Sequence, residues 1–272
     1  MSKTPDFVHM CRAASEGTTN RVRLKEDRFL ASEIPLPPLE EQRRTVARIE
    51  ELAAKIEEAR ELRCQAVADV NSFVSALHLK LAGTGIVCLD EIITLDEHRK
   101  EVQFGRKYPQ VGVKGFGQGL FPKEALDATQ TTYKAFNRLY EGAVVLSQVK
   151  GWEGAIAVCP PDLAGRYVSP EYRTFRCISD RAIPEYIAAL CATPWFWTQL
   201  KTLTRGVGAR RERTRPEHFL RMEIPMPPVY RQEQAIPIFK QLRMIKRLQD
   251  ETSTEFDALL PSILDKAFKG EL

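Results

Sequence analysis

Two stretches of this chain place apolar residues at every third or fourth position. Between residues 38 and 83 these are Val46, Ile49, Leu52, Ile56, Ala59, Leu62, Ala66, Val70, Phe73 and Leu77. Such a stripe predicts an amphipathic helix of about forty residues, roughly 60 Å long, with a coiled-coil-like seam. Its other positions alternate in charge, Arg43, Arg44, Arg48 and Lys55 against Glu50, Glu51, Glu57 and Glu58, as a solvated face does. A second stripe within residues 228–272 holds Ile238, Phe239, Leu242, Ile245, Leu248, Phe256, Leu259, Ile263 and Ala267. Pro237 and Pro261 fall inside it and predict a kink or a late helix start. Neither helix is stable alone, so each seam needs a partner, and the nearest is the other seam.

The intervening residues carry a different pattern. Residues 143–149 and 154–158 are short β-rich apolar runs, and 110–113 is another strand candidate. Residues 183–204 are helical in pattern with a break at Pro194, after which Trp195, Phe196 and Trp197 are expected to pack. The fold class is therefore α+β: a mixed α/β globular domain flanked by two long helices.

An internal repeat precedes each helix. Residues 29–38 are FLASEIPLPP and residues 219–228 are FLRMEIPMPP, seven identities in ten at an offset of 190. Arg21, Arg23 and Gln42 meet Arg211, Arg213 and Gln232 at the same offset. The Ile-Pro-Φ-Pro-Pro segment must be extended, because residues before proline are pushed out of the helical region. Pro38 and Pro228 suit a helix start, where a missing N–H costs nothing.

With 272 residues and 43% hydrophobic content, the chain is long enough for one or two folded domains. No apolar run approaches a membrane span, and the N-terminus lacks a signal core, so a cytoplasmic protein is expected. Cys11, Cys64, Cys88, Cys159, Cys177 and Cys191 are scattered without a CxxC pair, which argues against disulfides and structural zinc. The net charge of +4 hides an uneven distribution: residues 201–221 hold seven basic residues against Glu212 and Glu217.

That basic stretch is the clearest functional candidate. In Arg205-Gly206-Val207-Gly208-Ala209-Arg210-Arg211-Glu212-Arg213, glycines permit close backbone approach and arginines offer forked donors for phosphates or guanine edges. Nucleic-acid contact is the favoured reading over a merely solvated basic loop. Gly115-Phe116-Gly117-Gln118-Gly119 has a GxGxG spacing, but no long helix clearly follows it, so a binding loop with Lys114 and Gln118 as donors is preferred to a cofactor loop. Trp152, beside Lys150, is suited equally to stacking on a base and to core packing. Catalytic and metal signals are poor. His9, His78, His98 and His218 are dispersed, and neither Cys159-Pro160-Pro161-Asp162 nor Asp162 with Glu171 and Arg173 forms a complete catalytic motif. No catalytic residue, metal or cofactor is expected.

Glu33-Ile34-Pro35-Leu36-Pro37-Pro38-Leu39-Glu40-Glu41-Gln42 before a long helix resembles the conserved region of specificity (S) subunits of type I restriction–modification enzymes. Val111-Gly112-Val113-Lys114, Gly142-Ala143-Val144-Val145, Trp152-Glu153-Gly154-Ala155, Val168-Ser169-Pro170 and Gly206-Val207-Gly208 resemble their target recognition domain. The ending Ala267-Phe268-Lys269-Gly270-Glu271-Leu272 is similar to the family's C-terminus. The resemblance implies a tail of a preceding recognition domain plus linker at 1–37, a spacer helix at 38–83, a target recognition domain at 84–227 and a second spacer helix at 228–272, the helices packing as an antiparallel coiled coil. It implies a non-catalytic subunit that reads half of a bipartite site in double-stranded DNA for DNA methylation and phage defence. DNA methyltransferase subunits, and restriction subunits with them, are the implied partners. Arg205, Arg210, Arg211, Arg213, Lys114, Gln118, Lys150 and Trp152 are the residues expected at DNA. Family members usually carry two recognition domains and this chain has one complete one, so a homodimer would restore the two-domain shape. Tyr230-Arg231 also stands where the first copy has Glu40-Glu41. A coiled-coil assembly adaptor, or an inactive remnant without its own DNA specificity, is the alternative.

Overall fold

A computed structural model of the chain describes residues 5–17, 22–33, 36–203 and 213–272. The elements run α1 (Pro5–Ala13), β1 (Ser15–Glu16), β2 (Arg23–Leu24), α2 (Glu26–Leu30), α3 (Leu39–Ala82), β3 (Ile86–Cys88), β4 (Ile93–Leu95), β5 (Arg99–Glu101), β6 (Tyr108–Val113) and β7 (Leu120–Leu126). They continue with β8 (Ala135–Arg138), β9 (Val144–Ser147), β10 (Ile156–Val158), β11 (Tyr167–Val168), β12 (Tyr172–Cys177), α4 (Pro184–Cys191), α5 (Pro194–Leu203), α6 (Pro216–Leu220), β13 (Glu223–Pro225), α7 (Val229–Glu251) and α8 (Ser253–Phe268). Contacts divide the chain into two units, residues 1–67 with 245–272, and residues 68–244.

In the first unit α3 and α8 lie side by side and antiparallel. Arg60 pairs with Asp257 at 3.2 Å, while three residues further along α3 Arg63 reaches back to Thr252 at 2.8 Å. Ile49, Leu52, Ile56, Ala59, Arg63 and Ala66 are among the covered positions of α3 here. Their spacing alternates three and four, the average of 3.5 that keeps one stripe facing a neighbour. Leu62, expected in the seam, is instead 64% exposed. It lies one residue, about 100°, off the stripe, and Arg63 holds the position. Val46 is exposed as well, as are Ile245, Leu248 and Leu259 of the second stripe, where Thr252, Phe256, Leu260 and Ile263 are the more covered positions.

The two prolines do not interrupt the second helix. Pro237 and Pro261 lie inside α7 and α8, and the break falls at Thr252. There Arg63 donates to the Gln249 carbonyl and to the Thr252 hydroxyl, giving backbone at the break a partner from across the pair.

The second unit is built on two larger sheets, besides the antiparallel pair of β13 and β3. One has the order β10-β9-β12-β4, all antiparallel; the other is β5-β8-β11-β6-β7, with β11 parallel to β6. Strand β9 explains its continuous apolar run by alternation. Val144 and Leu146 enter a core shared with α4, α5, α6 and α7, whereas Val145 faces a second core with Val111, Val113 and Val168. Both faces of β9 are therefore dry. A buried polar link joins the sheets: Asn137 Nδ2 donates to Thr174 Oγ1 at 2.8 Å, and Asn137 Oδ1 accepts from His98 N–H at 2.8 Å. Phe196 is buried at 2% exposure and Trp195 packs on the same core, as their helical spacing led us to expect.

Val74, Leu77 and Leu81 of α3 pack on this core too, opposite Ala235 and Phe239 of α7. Phe73 continues the register of the stripe over residues 49–66 but lies one residue off Val74, which packs here with Leu77 and Leu81, and it is exposed. His78 sits among these residues, fully buried, with Nδ1 2.6 Å from the Tyr186 hydroxyl.

The repeat is structural as well as textual. Helices α2 and α6 occupy equivalent residues at the same offset of 190. Gln42 Nε2 donates to the Pro37 carbonyl at 2.7 Å, and Gln232 Nε2 to the Pro227 carbonyl at 2.8 Å. Their surroundings differ. Gln232 also donates to Arg181 O and accepts the Ile183 N–H, which orders the start of α4. Phe219 is buried against Phe175, while its equivalent Phe29 meets Phe7 and Leu30 is 72% exposed. Arg231, in place of Glu41, donates to the Leu81 carbonyl at 2.9 Å in the last turn of α3, where a cation is favoured and a carboxylate is not.

Candidate nucleic-acid interface

The sequence candidates in the second unit come from loops that hydrogen bonds tie into one knot. Lys114 follows β6, and its N–H donates to Gly119 O at 2.9 Å, closing the glycine loop. That loop is fastened to the turn after β9 by Phe116 N–H donating to Glu153 O at 2.8 Å. The same turn carries Lys150 and Trp152, and its Gly151 approaches Thr214 so closely that an added Cβ would lie 2.1 Å from Thr214 Oγ1. Thr214 N–H in turn donates to Gln148 O at 2.9 Å, and Gln148 N–H donates to Glu171 O. Lys114, Gln118, Lys150, Trp152 and Arg213 are thus brought to connected loops. Arg205, Arg210 and Arg211 lie outside the described residues.

Two of these groups already have acidic partners. Lys150 Nζ lies 3.4 Å from Glu153, and the Arg213 guanidinium pairs with Glu171. Lys114 and Gln118 are exposed, whereas Trp152 is half-buried. Phe116, 53% exposed, stands edge-on to Trp197 at 5.8 Å. The glycine loop connects two antiparallel strands, β6 and β7, and no helix opens from it. A dinucleotide-type cradle needs the strand–loop–helix order, because the helix N-terminus carries the phosphate.

The weak catalytic motifs disperse. Glu171 faces Arg213 and Arg173 faces Glu97, so neither joins Asp162. Cys159 is buried, and loss of solvent, with Asp162 and Glu141 adding to it, pushes its thiol up to about 12. It is a small core residue at neutral pH. Cys88, Asp90 and Glu91 converge closely enough to suggest a cation. Burial, together with the neighbouring carboxylates Asp90, Glu223 and Glu91, raises the Cys88 thiol, and Glu91 is already bonded to the Cys88 N–H. A protonated thiol is a poor ligand, and nothing else there points to a metal.

An ordered charge array lines β4 and β12. Glu97 takes Arg173 at 2.8 Å and Arg99 at 3.0 Å, and Asp96 takes Arg176 and His98. Burial works to raise the Asp96 carboxyl, but the Arg176 hydrogen bond and charge hold it below the usual carboxylate range. The segment from Arg99 to Lys107 escaped the sequence reading, although Arg-Lys-Glu-Val-Gln-Phe-Gly-Arg-Lys has four basic residues against one acidic. Its exposed Lys100, Arg106 and Lys107 flank Phe104 in sequence, and Phe104 is 89% exposed. Among the described residues, no helix is long and apolar enough to cross a membrane.

No protein-family model and no curated protein matches the sequence. Solved structures do. The chain matches the HsdS subunit from Thermoanaerobacter tengcongensis with a TM-score of 0.55 at 22% identity, covering 99% of this chain and 68% of that one. It matches a chain from a structure of the type I R-M system, concerned with complex assembly and conformational transition, with a TM-score of 0.64 at 23% identity over 97% of this chain and 68% of that one. The fold is that of type I restriction–modification S subunits.

Proposed function

We propose that this chain, having the S-subunit fold, is the DNA-specificity subunit of a type I restriction–modification complex, serving in DNA methylation and phage defence. The observation that carries the reading is the fold likeness over nearly the whole chain, joined to the EIP-x-PP repeat ahead of each long helix. In this reading residues 84–227 are the target recognition domain, 38–83 and 228–272 are spacer helices, and 1–37 are the tail of a preceding recognition domain plus linker. The exposure of Leu30 against the packing of Leu220 supports that last assignment, since the first copy of the junction lacks the core that covers the second.

The role is non-catalytic and cytoplasmic. The arginine–glycine segment, with Lys114, Gln118, Lys150, Trp152 and Arg213, contacts double-stranded DNA, and the helices dock methyltransferase and, with them, restriction subunits. Two chains related by a two-fold axis would read inverted half-sites, so the target is an interrupted palindrome. Co-expression with a methyltransferase subunit, co-purification and mapping of methylated sites test this. A methylated site with symmetric halves is expected when this is the sole S chain. Sites with unrelated halves overturn the symmetric assembly, and absence of both co-purification and sequence-specific methylation overturns the specificity role. An Arg210→Ala/Arg211→Ala chain should lose affinity on all sequences and flatten the salt dependence by about two units. Unchanged affinity at moderate salt removes the cluster from the interface.

A further inference from the structure

Phe104 is the most exposed large apolar side chain described, at 89%. A single exposed apolar side chain is ordinary on a protein surface, and this one is singled out by the loop that holds it and the cations beside it. The loop that carries it is held in shape. The Tyr108 ring is 1% exposed, wedged against Phe136 and Tyr167. Its hydroxyl accepts the Gln103 N–H at 2.8 Å and donates to Glu101 O at 3.0 Å, clamping the segment that enters the turn to one buried anchor that follows it. Val102 N–H donates to Lys134 O at 2.9 Å, continuing the β5–β8 ladder. Arg106 N–H approaches Gln103 O at 3.3 Å, and Gly105 has φ +77°, the glycine conformation a tight turn needs at its third residue. Phe104 is the second residue of that turn and stands at its tip.

Basic residues flank the tip. Lys100, Arg106, Lys107 and Lys134 are all exposed, and the Arg106 guanidinium lies 5.7 Å from the Tyr108 ring centre. Acidic groups on the neighbouring segments include the exposed Glu101 and Glu124, and Asp127, the last close enough to feel Lys107 and with its carboxylate already bonded to Thr129. An apolar tip flanked by cations suits a partner that offers negative charge beside stacked flat apolar faces. Duplex DNA has both: phosphates for the cations, and base steps that admit an aromatic wedge. A protein partner would need carboxylates around an apolar pocket to satisfy both, whereas every duplex base step already lies between phosphates.

We propose that Phe104 is a DNA wedge, inserted at a base step while Arg106 and Lys107 hold the flanking phosphates. The proposal deepens the DNA-recognition reading above and rests on it. The full-length chain would be titrated into a mixed-sequence 30-base-pair duplex across a salt series, as wild type, Phe104→Ala, Phe104→Trp and Arg106→Ala/Lys107→Ala. Phe104→Ala should weaken binding about tenfold with an unchanged salt slope, since no charge is lost. The double variant should lower the slope by about two units. The indole of Phe104→Trp should be quenched on duplex addition beyond the change seen in wild type. Relaxed plasmid treated with topoisomerase should be unwound by wild type and not by Phe104→Ala. Equal affinity and equal unwinding for Phe104→Ala overturn the wedge alone, provided wild type binds. Lost methyltransferase co-purification with intact DNA binding overturns it too, and marks the tip as a protein contact. No DNA binding by the wild-type chain overturns the DNA reading and the wedge together.

Discussion

Arg63 lays its guanidinium 4.5 Å from the centre of the Phe256 ring. It does so from a seam position where a small apolar residue would ordinarily sit, and its remaining donors go to Thr252 and the Gln249 carbonyl. One side chain therefore fills the seam and holds the break between α7 and α8. Arg63→Ala is expected to cost about 2 kcal/mol, combining a lost cation–π contact with lost charged hydrogen bonds. Urea unfolding followed by helical ellipticity measures it. Arg63→Lys should recover little, because an ammonium cannot both cover the ring and fork to two acceptors. A loss under about 0.5 kcal/mol for Arg63→Ala would remove this role.

His78 makes the fold sensitive to mild acid. Burial lowers its pKa from 6.5 to about 4, with the Pro225 carbonyl partly opposing. The folded value lies below the unfolded one, so the full stability is present above about pH 6.5 and declines as pH falls towards 4. The slope from this group approaches 1.4 kcal/mol per pH unit, about 3 kcal/mol across the window. His78→Phe should be less stable at pH 7, since Tyr186 loses its partner, yet its stability should fall less between pH 6.5 and 4.5. Parallel curves for the two proteins would refute the assignment.

Gly117 is irreplaceable on geometry. Its φ is +67°, and a Cβ there would lie 2.7 Å from both Ala192 Cα and Trp197 Cζ2. Strain and clash together make Gly117→Ala cost about 2 kcal/mol or more. The loop bearing Lys114 and Gln118 should loosen, seen as faster hydrogen exchange at the Phe116 amide. Wild-type protection in that variant would show that the loop needs no glycine.

Glu171 competes with DNA for Arg213 in the proposed interface. Glu171→Gln removes the negative charge that holds the guanidinium. At low salt it should tighten duplex binding about two- to fivefold, with the gain shrinking as salt rises. Weaker or unchanged binding would place Arg213 in a purely structural pair.

How far these features were legible in the sequence depends on the range of the forces behind them. Periodicity located α3 and α7–α8, because a helix buries its residues at a fixed angular step. It could not choose between Leu62 and Arg63, which differ by one step, since both present methylenes to a seam and only the neighbouring helix settles the phase. The prolines at 237 and 261 predict a kink or a late helix start from their chemistry. The actual break at Thr252 depends on a donor from Arg63, 189 residues away in sequence.

The repeat shows the same division. Gln42 and Gln232 close the same local bond to the residue five before them, and that bond is dictated by the EIP-x-PP-plus-Gln segment itself. Whether the glutamine's carbonyl oxygen then orders another helix depends on Ile183 being present, and only folding brings it there. The chain's own pattern therefore determined the helices, the strands with two buried faces, and the repeated junction, all short-range consequences of side-chain period and proline geometry. Tertiary structure decided which arginines meet carboxylates, which thiols and imidazoles lose water, and that Tyr108 holds Phe104 out at a basic rim. Those outcomes depend on distance in space, and a linear sequence does not carry that distance.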